Sequence, residues 1–177
     1  MNLFIVIDAQ NDFIDGVLGT PEAQKAVPQI CDTLESLGKG DMVIFTRDTH
    51  YDDYMETLEG QKLPVEHCIY NTFGWDINTD IFSAADFGTV GKIYDKPTFG
   101  STVMQKGLYN MNKIMKIDSI TFMGFCTDIC VVSNALMTRA QFPDMPIFVK
   151  ADCCAGTTPA NHEAALKVMA SCQIEIV

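Results

Sequence analysis

Three residues that could combine acid–base and nucleophilic chemistry each come just after a short apolar run: Asp8, Lys96 and Cys130. Burial at the end of an apolar strand raises the pKa of a carboxyl group such as that of Asp8. Unpaired backbone N–H groups at a helix start lower the pKa of a thiol such as that of Cys130 and can hold a developing oxyanion. Taken singly, the three could also be a turn aspartate, a surface lysine and an inert buried cysteine. Their position after apolar runs makes them candidates.

The turn that leads to Cys130 has the sequence GFCTDICV over residues 124–131. Its glycine permits a tight strand-to-helix turn, and Thr127 or Asp128 is predicted to cap the helix that follows. This places Cys130 in the first helical turn. Cys126 lies four residues earlier and could pair with Cys130, although thioredoxin-type redox sites have the shorter Cys-x-x-Cys spacing.

A second group of residues could bind a metal ion. Asp48 and His50 are two apart, so their side chains point to the same side of an extended segment. His67 follows within the stretch 48–89, which shows little periodicity and has the length typical of a functional loop. One carboxylate and two imidazoles suit Zn, Fe or Mn with open coordination positions. Histidines that only form hydrogen bonds within the loop are the alternative interpretation.

The elements that would position these residues alternate between β-prone and helical segments. This alternation predicts a mainly parallel sheet with right-handed crossovers and helices on both faces, a three-layer α/β/α sandwich. Thr-Pro pairs at 20–21 and 158–159 are the predicted N-cap and first position of two helices. Polar residues just past the strand ends then meet where ligands bind in such folds. The predicted strands are 3–7, 42–46, 90–94, 119–124, 146–150 and 173–177, and the predicted helices are about 21–37, 102–116, 128–141 and 158–171.

The length and composition are those of an ordinary globular protein. The 177 residues, 47% of them hydrophobic, predict one domain that spans 1–177. A formal net charge of -11, with scattered basic residues, argues against nucleic acid or an anionic membrane as a partner. The apolar run at 3–7 is too short for a signal-peptide core or a membrane span. Seven cysteines without a secretory signal favour free thiols, and we therefore expect a cytoplasmic protein.

The candidate residues and their order resemble the isochorismatase-like cysteine hydrolases, a superfamily that includes nicotinamidases. The similarity covers essentially the whole chain, and its most specific part is the segment DAQNDF at 8–13 together with 124–131. The resemblance implies a six-stranded parallel sheet and assigns the catalytic roles to Asp8, Lys96 and Cys130. It also implies hydrolysis of a small amide through a thioester, a small-molecule amide as substrate, a homo-oligomer and no organic cofactor.

The resemblance further implies binding groups around the catalytic residues. Phe13, Phe125 and Cys126 would bind substrate, with a cis peptide between Phe125 and Cys126. The oxyanion would be held by the backbone N–H groups of Cys126 and Cys130.

The metal ligands of nicotinamidases correspond to Asp48, His50 and His67, and Glu59 lies where some members place a further carboxylate. The implied cofactor is therefore a divalent metal, Zn, Fe or Mn. Leu63 stands where nicotinamidases often have an aromatic residue that lines the pyridine pocket. Nicotinamide is thus one candidate among small amides.

Two other classes of function stay open at the level of sequence. A vinyl-ether hydrolase of the isochorismatase type would use Asp8 as an acid and would need no thiol. A non-enzymatic binding module would show neither turnover nor a reactive Cys130.

Overall fold

The computed structural model describes residues 1–86 and 88–177, and its centre is a sheet of six parallel strands. The strands are β1 (Asn2–Ile7), β2 (Met42–Asp48), β3 (Val90–Lys96), β4 (Ser119–Phe125), β5 (Ile147–Ala155) and β6 (Glu175–Ile176). Their spatial order is β3-β2-β1-β4-β5-β6. All five neighbouring pairs are parallel, which confirms the predicted sheet.

The order of the strands determines where a site can form. The chain moves outwards from β1 to β2 and β3, returns to β4 on the other side of β1, and then moves outwards to β5 and β6. With right-handed crossovers, the connections among β1, β2 and β3 lie on one face of the sheet, and those among β4, β5 and β6 lie on the other. The direction changes between β1 and β4, and ligands in open α/β sheets bind at this switch point, beyond the carboxyl ends of the strands.

Seven helices connect the strands within the described residues: α1 (Asn11–Ile14), α2 (Pro21–Glu35), α3 (Leu58–Lys62), α4 (Thr79–Ala84), α5 (Thr102–Met115), α6 (Val132–Gln141) and α7 (Pro159–Ser171). The predicted caps of α2 and α7 are confirmed, because the hydroxyls of Thr20 and Thr158 each accept a hydrogen bond from a backbone N–H three residues on. None of the helices in the described part of the chain is long and apolar enough to cross a membrane.

Two local predictions need correction. The stretch 48–89 is predicted as a long loop with little periodicity, yet its described part contains a 3₁₀ turn at Tyr54–Glu56 as well as α3 and α4. These elements have three to six residues, which is too short for a helical period to show in the sequence. The predicted helix 128–141 begins as a π-helical turn, Thr127–Val131, and continues as α6.

The predicted capping by Thr127 or Asp128 is also wrong. The Thr127 hydroxyl forms a hydrogen bond of 2.8 Å with Nδ1 of His162 on α7. The Asp128 carboxylate accepts hydrogen bonds from the backbone N–H and the hydroxyl of Thr157, at 2.8 and 2.6 Å. Both side chains therefore join the turn to the segment after β5 and leave the helix start without a side-chain cap.

Gly124, near the end of β4, is required by the close approach of β1. Its φ is +117°, and a Cβ atom built there would lie 2.0 Å from the backbone oxygen of Ile7. A side chain at this position would separate the two central strands, whose carboxyl ends lead to Asp8 and to the π-helical turn.

Candidate active site

Asp8, Lys96 and Cys130 meet beyond the carboxyl ends of the central strands. The Nζ atom of Lys96 lies 2.7 Å from Oδ2 of Asp8 and 3.4 Å from Sγ of Cys130. All three side chains are buried, with exposures of 0% for Asp8, 1% for Lys96 and 4% for Cys130. The structure thus brings together three residues that lie far apart in the sequence.

The backbone and a neighbouring hydroxyl fix the orientation of Asp8. Asp8 has a φ of +47°, a left-handed conformation that is strained for a non-glycine residue and must be held by its surroundings. The Thr46 hydroxyl donates to Oδ1 of Asp8 at 2.6 Å and accepts from its backbone N–H at 3.1 Å. The other oxygen, Oδ2, lies 2.7 Å from the Lys96 ammonium, so the carboxylate is held between a hydroxyl and a positive charge.

Thr46 was not predicted from the sequence as a residue of the site. Its signal in the sequence is weak, because it is only the polar residue near the end of an otherwise apolar β2 run. Its role depends on pairing with β1, which the sequence of β2 does not specify.

The pKa of the Cys130 thiol differs from the prediction. Burial raises the pKa of Cys130 well above its ordinary value; Lys96 opposes this rise, while Asp8 and Asp48 add to it. The predicted lowering of this pKa by the helix start is therefore wrong, because desolvation of a buried thiolate outweighs the opposing effects. Burial also raises the pKa of Asp8, as predicted from its place after an apolar strand.

Lys96 stays positively charged despite its burial. Burial disfavours the ammonium, but its interactions with Asp8, Cys130 and Asp48 together hold the pKa of Lys96 well above its ordinary value. The site therefore has a fixed positive charge in contact with both a base and a thiol.

Asp48 connects Lys96 with a group of side chains that could bind a metal ion. Its Oδ1 lies 3.4 Å from Nζ of Lys96, and its Oδ2 lies 3.2 Å from Nε2 of His50 and 3.7 Å from Nε2 of His67. Glu59 completes the group, with Oε1 at 3.8 and 3.9 Å from the same two ring nitrogens. Burial opposes ionisation of Asp48, yet Lys96, His50 and His67 together hold its pKa well below the ordinary value.

These four residues fit a divalent metal ion. Their ligand atoms all lie within 4.8 Å of one another. Ligands about 2.1 Å from one ion are separated from each other by roughly 3 to 4 Å. The four distances between the carboxylate oxygens and the ring nitrogens, 3.2 to 3.9 Å, lie in this range. The Nδ1 atom of His67 is 2.8 Å from the backbone oxygen of Val65, and this hydrogen bond assigns the proton to Nδ1 and leaves Nε2 free to bind a metal.

Gln10 holds Asp48 through the backbone and was not identified from the sequence. Its side-chain oxygen accepts from the N–H of Asp48 at 2.7 Å, and its side-chain nitrogen donates to the Asp48 carbonyl at 2.9 Å. The same nitrogen donates to the Trp75 carbonyl at 2.8 Å. Gln10 therefore connects the segment after β1 with the end of β2 and with the loop that precedes α4.

A cavity of about 790 Å³ opens onto both groups of residues. Its walls are mainly apolar and include Phe13, Leu58, Leu63, Phe99 and Ile129, and Cys126 and Cys130 also line it. Of the predicted substrate-binding residues, Phe13 and Cys126 lie on the wall. The Phe125 side chain is buried in the core instead, and its backbone forms the expected cis peptide with Cys126.

Comparison with known families identifies the fold and its relatives. The family model for the isochorismatase domain matches residues 2–177. The chain belongs to the isochorismatase family. One relative in this family is the nicotinamidase/pyrazinamidase of Mycobacterium tuberculosis, which is 26% identical over 196 residues, with 100% of this chain and 98% of the relative covered.

Solved structures of similar proteins confirm the three-layer α/β/α fold of the isochorismatase family. The pyrazinamidase of Pyrococcus horikoshii in complex with zinc superposes with a TM-score of 0.79 at 24% identity, covering 99% of this chain and 98% of that one. The pyrazinamidase/nicotinamidase of Streptococcus mutans gives a TM-score of 0.82 at 24% identity, covering both chains completely. PnC1 of L. infantum in complex with nicotinate gives 0.79 at 14% identity, covering 100% and 92%.

Proposed function

We propose that this protein is a cysteine hydrolase that cleaves a small amide through a thioester on Cys130. The observation that carries the proposal is the contact of one buried ammonium, Lys96, with both the Asp8 carboxylate and the Cys130 sulfur, next to an apolar cavity. The relative named nicotinamidase/pyrazinamidase supports a hydrolase that acts on a small amide. We also propose that the whole chain, 1–177, forms one domain. Its cytoplasmic location and homo-oligomeric assembly stay predictions.

Asp8 acts first as the base. Its raised pKa makes the carboxylate a stronger base, and it takes the proton of the Cys130 thiol while Lys96 stays in contact with its Oδ2. Lys96 stabilises the negative charge as it passes between carboxylate and sulfur. Because the pKa of the Cys130 thiol is itself raised in the resting site, proton transfer accompanies attack instead of preceding it.

The Cys130 sulfur attacks the amide carbon as its proton passes to Asp8, and a tetrahedral intermediate forms. The backbone N–H groups of Cys126 and Cys130 stabilise its oxyanion. Asp8 returns its proton to the departing ammonia or amine, and the carbon–nitrogen bond breaks to leave a thioester. Asp8 then takes a proton from a water molecule, which attacks the thioester. Asp8 returns this proton to the departing sulfur, so the acid and the Cys130 thiol are released and the Asp8 carboxylate is restored.

A divalent metal would be held by Asp48, His50 and His67, with Glu59 as a fourth donor. When bound, it supplies a Lewis acid that can orient a ring nitrogen or another polar group of the substrate. The P. horikoshii pyrazinamidase structure contains zinc, which supports a metal of this kind here.

Nicotinamide is the first substrate to test, because the relative from M. tuberculosis is named as a nicotinamidase. The wall of the cavity includes Leu58 and Leu63, so an aliphatic surface faces the substrate where the family resemblance leads one to expect an aromatic residue. Small amides with an aliphatic body belong in the same panel.

The decisive experiment measures ammonia release from this panel by the unmodified protein and by Cys130→Ala and Cys130→Ser. Both variants should lose at least about 1,000-fold in kcat, because a nucleophile that forms the covalent intermediate is removed. Cys172→Ala is the matched control, since this cysteine is exposed. Unchanged turnover in both Cys130 variants would eliminate the nucleophile assignment, and vinyl-ether cleavage by Cys130→Ala would point to chemistry that uses Asp8 alone.

A further inference from the structure

Asn134 is a completely buried side chain on α6, one helical turn after Cys130. Its Nδ2 atom donates to the backbone oxygen of Cys130 at 2.8 Å and to that of Phe99 at 3.0 Å. Its Oδ1 atom accepts from the backbone N–H of Ser101 at 2.9 Å. A buried amide that uses both its donors and its acceptor holds its partners in one geometry.

Two of these partners belong to the segment that follows Lys96 directly. Residues 97–101 lead from the end of β3 to Ser101, which caps α5. The segment packs tightly against α6, because a Cβ atom built on Gly100 would lie 2.5 Å from the sulfur of Met137. The chain beyond Lys96 is therefore joined to α6, which continues the π-helical turn that carries Cys130.

We propose that Asn134 is a positioning residue that fixes the Lys96 ammonium relative to the Cys130 sulfur. The contact between these atoms is 3.4 Å, so a small displacement of either segment would weaken it. A misplacement of about 1 Å can reduce a rate about 100-fold. The inference rests on the proposed role of Cys130 as the nucleophile.

Two substitutions separate the contacts of Asn134. Asn134→Asp has nearly the same shape and keeps the acceptor for Ser101, but it loses both donors. Asn134→Ser can still donate to the carbonyl of Cys130 one turn earlier, but its short side chain does not reach the segment 97–101. In both variants, kcat for the best amide of the panel should fall about 10- to 100-fold, while KM changes less than about threefold.

A second measurement does not depend on the substrate. The rate of Cys130 alkylation by iodoacetamide is followed by peptide mass spectrometry, with the exposed Cys172 as the internal reference. This rate should fall about tenfold in Asn134→Asp and in Asn134→Ser, because a displaced Lys96 stabilises the thiolate less.

Thr138→Val is the matched control. Thr138 is also buried on α6, but its hydroxyl forms hydrogen bonds with Gln105, at 2.9 and 3.2 Å, and not with the segment after Lys96. It should lower stability while changing kcat and the alkylation rate less than about twofold. The positioning role would be overturned if Asn134→Ser had the same kcat and the same alkylation rate as the unmodified protein. It would also be overturned if Thr138→Val lost as much kcat and alkylation rate as the Asn134 variants. If the unmodified protein shows no Cys130-dependent turnover, the proposed function fails, and the alkylation rates still decide the positioning role.

Discussion

Replacing Lys96 by methionine should destabilise the protein more than an ordinary core substitution of similar size. Lys96 is 1% exposed, and its ammonium lies 2.7 Å from Asp8 and 3.4 Å from Asp48. Removing one partner of a buried ion pair costs about 3 to 5 kcal/mol, because the remaining charge is buried without compensation. Since whole proteins have unfolding free energies of about 5 to 15 kcal/mol, this loss is a large fraction of the total.

The loss should grow as the pH rises. Burial already raises the pKa of Asp8 above 3.8, and Lys96 is what restrains this rise, so the pKa should climb further in Lys96→Met. A group whose pKa is higher in the folded state stabilises the fold below its unfolded pKa and loses that contribution as pH rises through the folded pKa. Lys96 itself stays protonated throughout this range, because its pKa is raised. The substitution should therefore cost least near about pH 5 and most near about pH 8.

Urea unfolding followed by tryptophan fluorescence measures this loss. Trp75 is the only tryptophan and is 7% exposed, so its emission reports global unfolding. The exposed Lys106 on α5 provides the control Lys106→Met, which should change the unfolding free energy by no more than about 0.5 kcal/mol. A loss below about 1 kcal/mol for Lys96→Met near about pH 8, or a loss that is largest in acid, would refute the buried-charge argument.

Two further predictions concern the metal site and the packing of the central strands. Elemental analysis of protein purified without added metal or chelator should find less metal in His50→Ala than in the unmodified protein. The control His162→Ala, which alters a histidine outside the cluster, should keep its metal. A metal content in His50→Ala equal to that of the unmodified protein would remove His50 from the site. Gly124→Ala should cost about 3 kcal/mol or more in urea unfolding, because its Cβ would meet the Ile7 carbonyl at 2.0 Å. Gly40→Ala is the comparison, because its φ is +99° but the new Cβ would meet no atom within 4 Å among the described residues beyond its two chain neighbours. It should cost only about 1 to 2 kcal/mol, and equal losses in both variants would mean that the close strand contact is unimportant.

Much of the fold and the outline of the site could be predicted from the sequence, because both depend on local patterns. Apolar runs mark the strands, and parallel strands bring the residues that follow them to one edge of the sheet. Asp8 and Lys96 were predictable for this reason. Thr46, Gln10 and Asn134 were not, because their hydrogen-bond partners lie 33 to 65 residues away in the chain, apart from the Cys130 contact of Asn134.

The error about the thiol has a different physical origin. The start of a helix lowers the pKa of a thiol that remains in contact with solvent. Cys130 is 4% exposed and has two carboxylates nearby, so burial and like charge dominate. Neither burial nor the neighbours across the sheet can be read from the segment 124–131.

The charge of Asp48 connects the three catalytic candidates with the group of possible metal ligands. Asp8, Asp48 and Glu59 formally contribute three negative charges, and Lys96 contributes one positive charge, so the group has an excess of two negative charges when its histidines are neutral. A divalent cation among Asp48, Glu59 and the two imidazoles would balance this excess. Asp48 contacts both Lys96 and the imidazoles. A cation bound to Asp48 would weaken the attraction between Asp48 and the Lys96 ammonium, and Asp8 would then be the principal partner of that ammonium. The same lysine that faces the thiol would then be paired mainly with the base that takes the thiol proton.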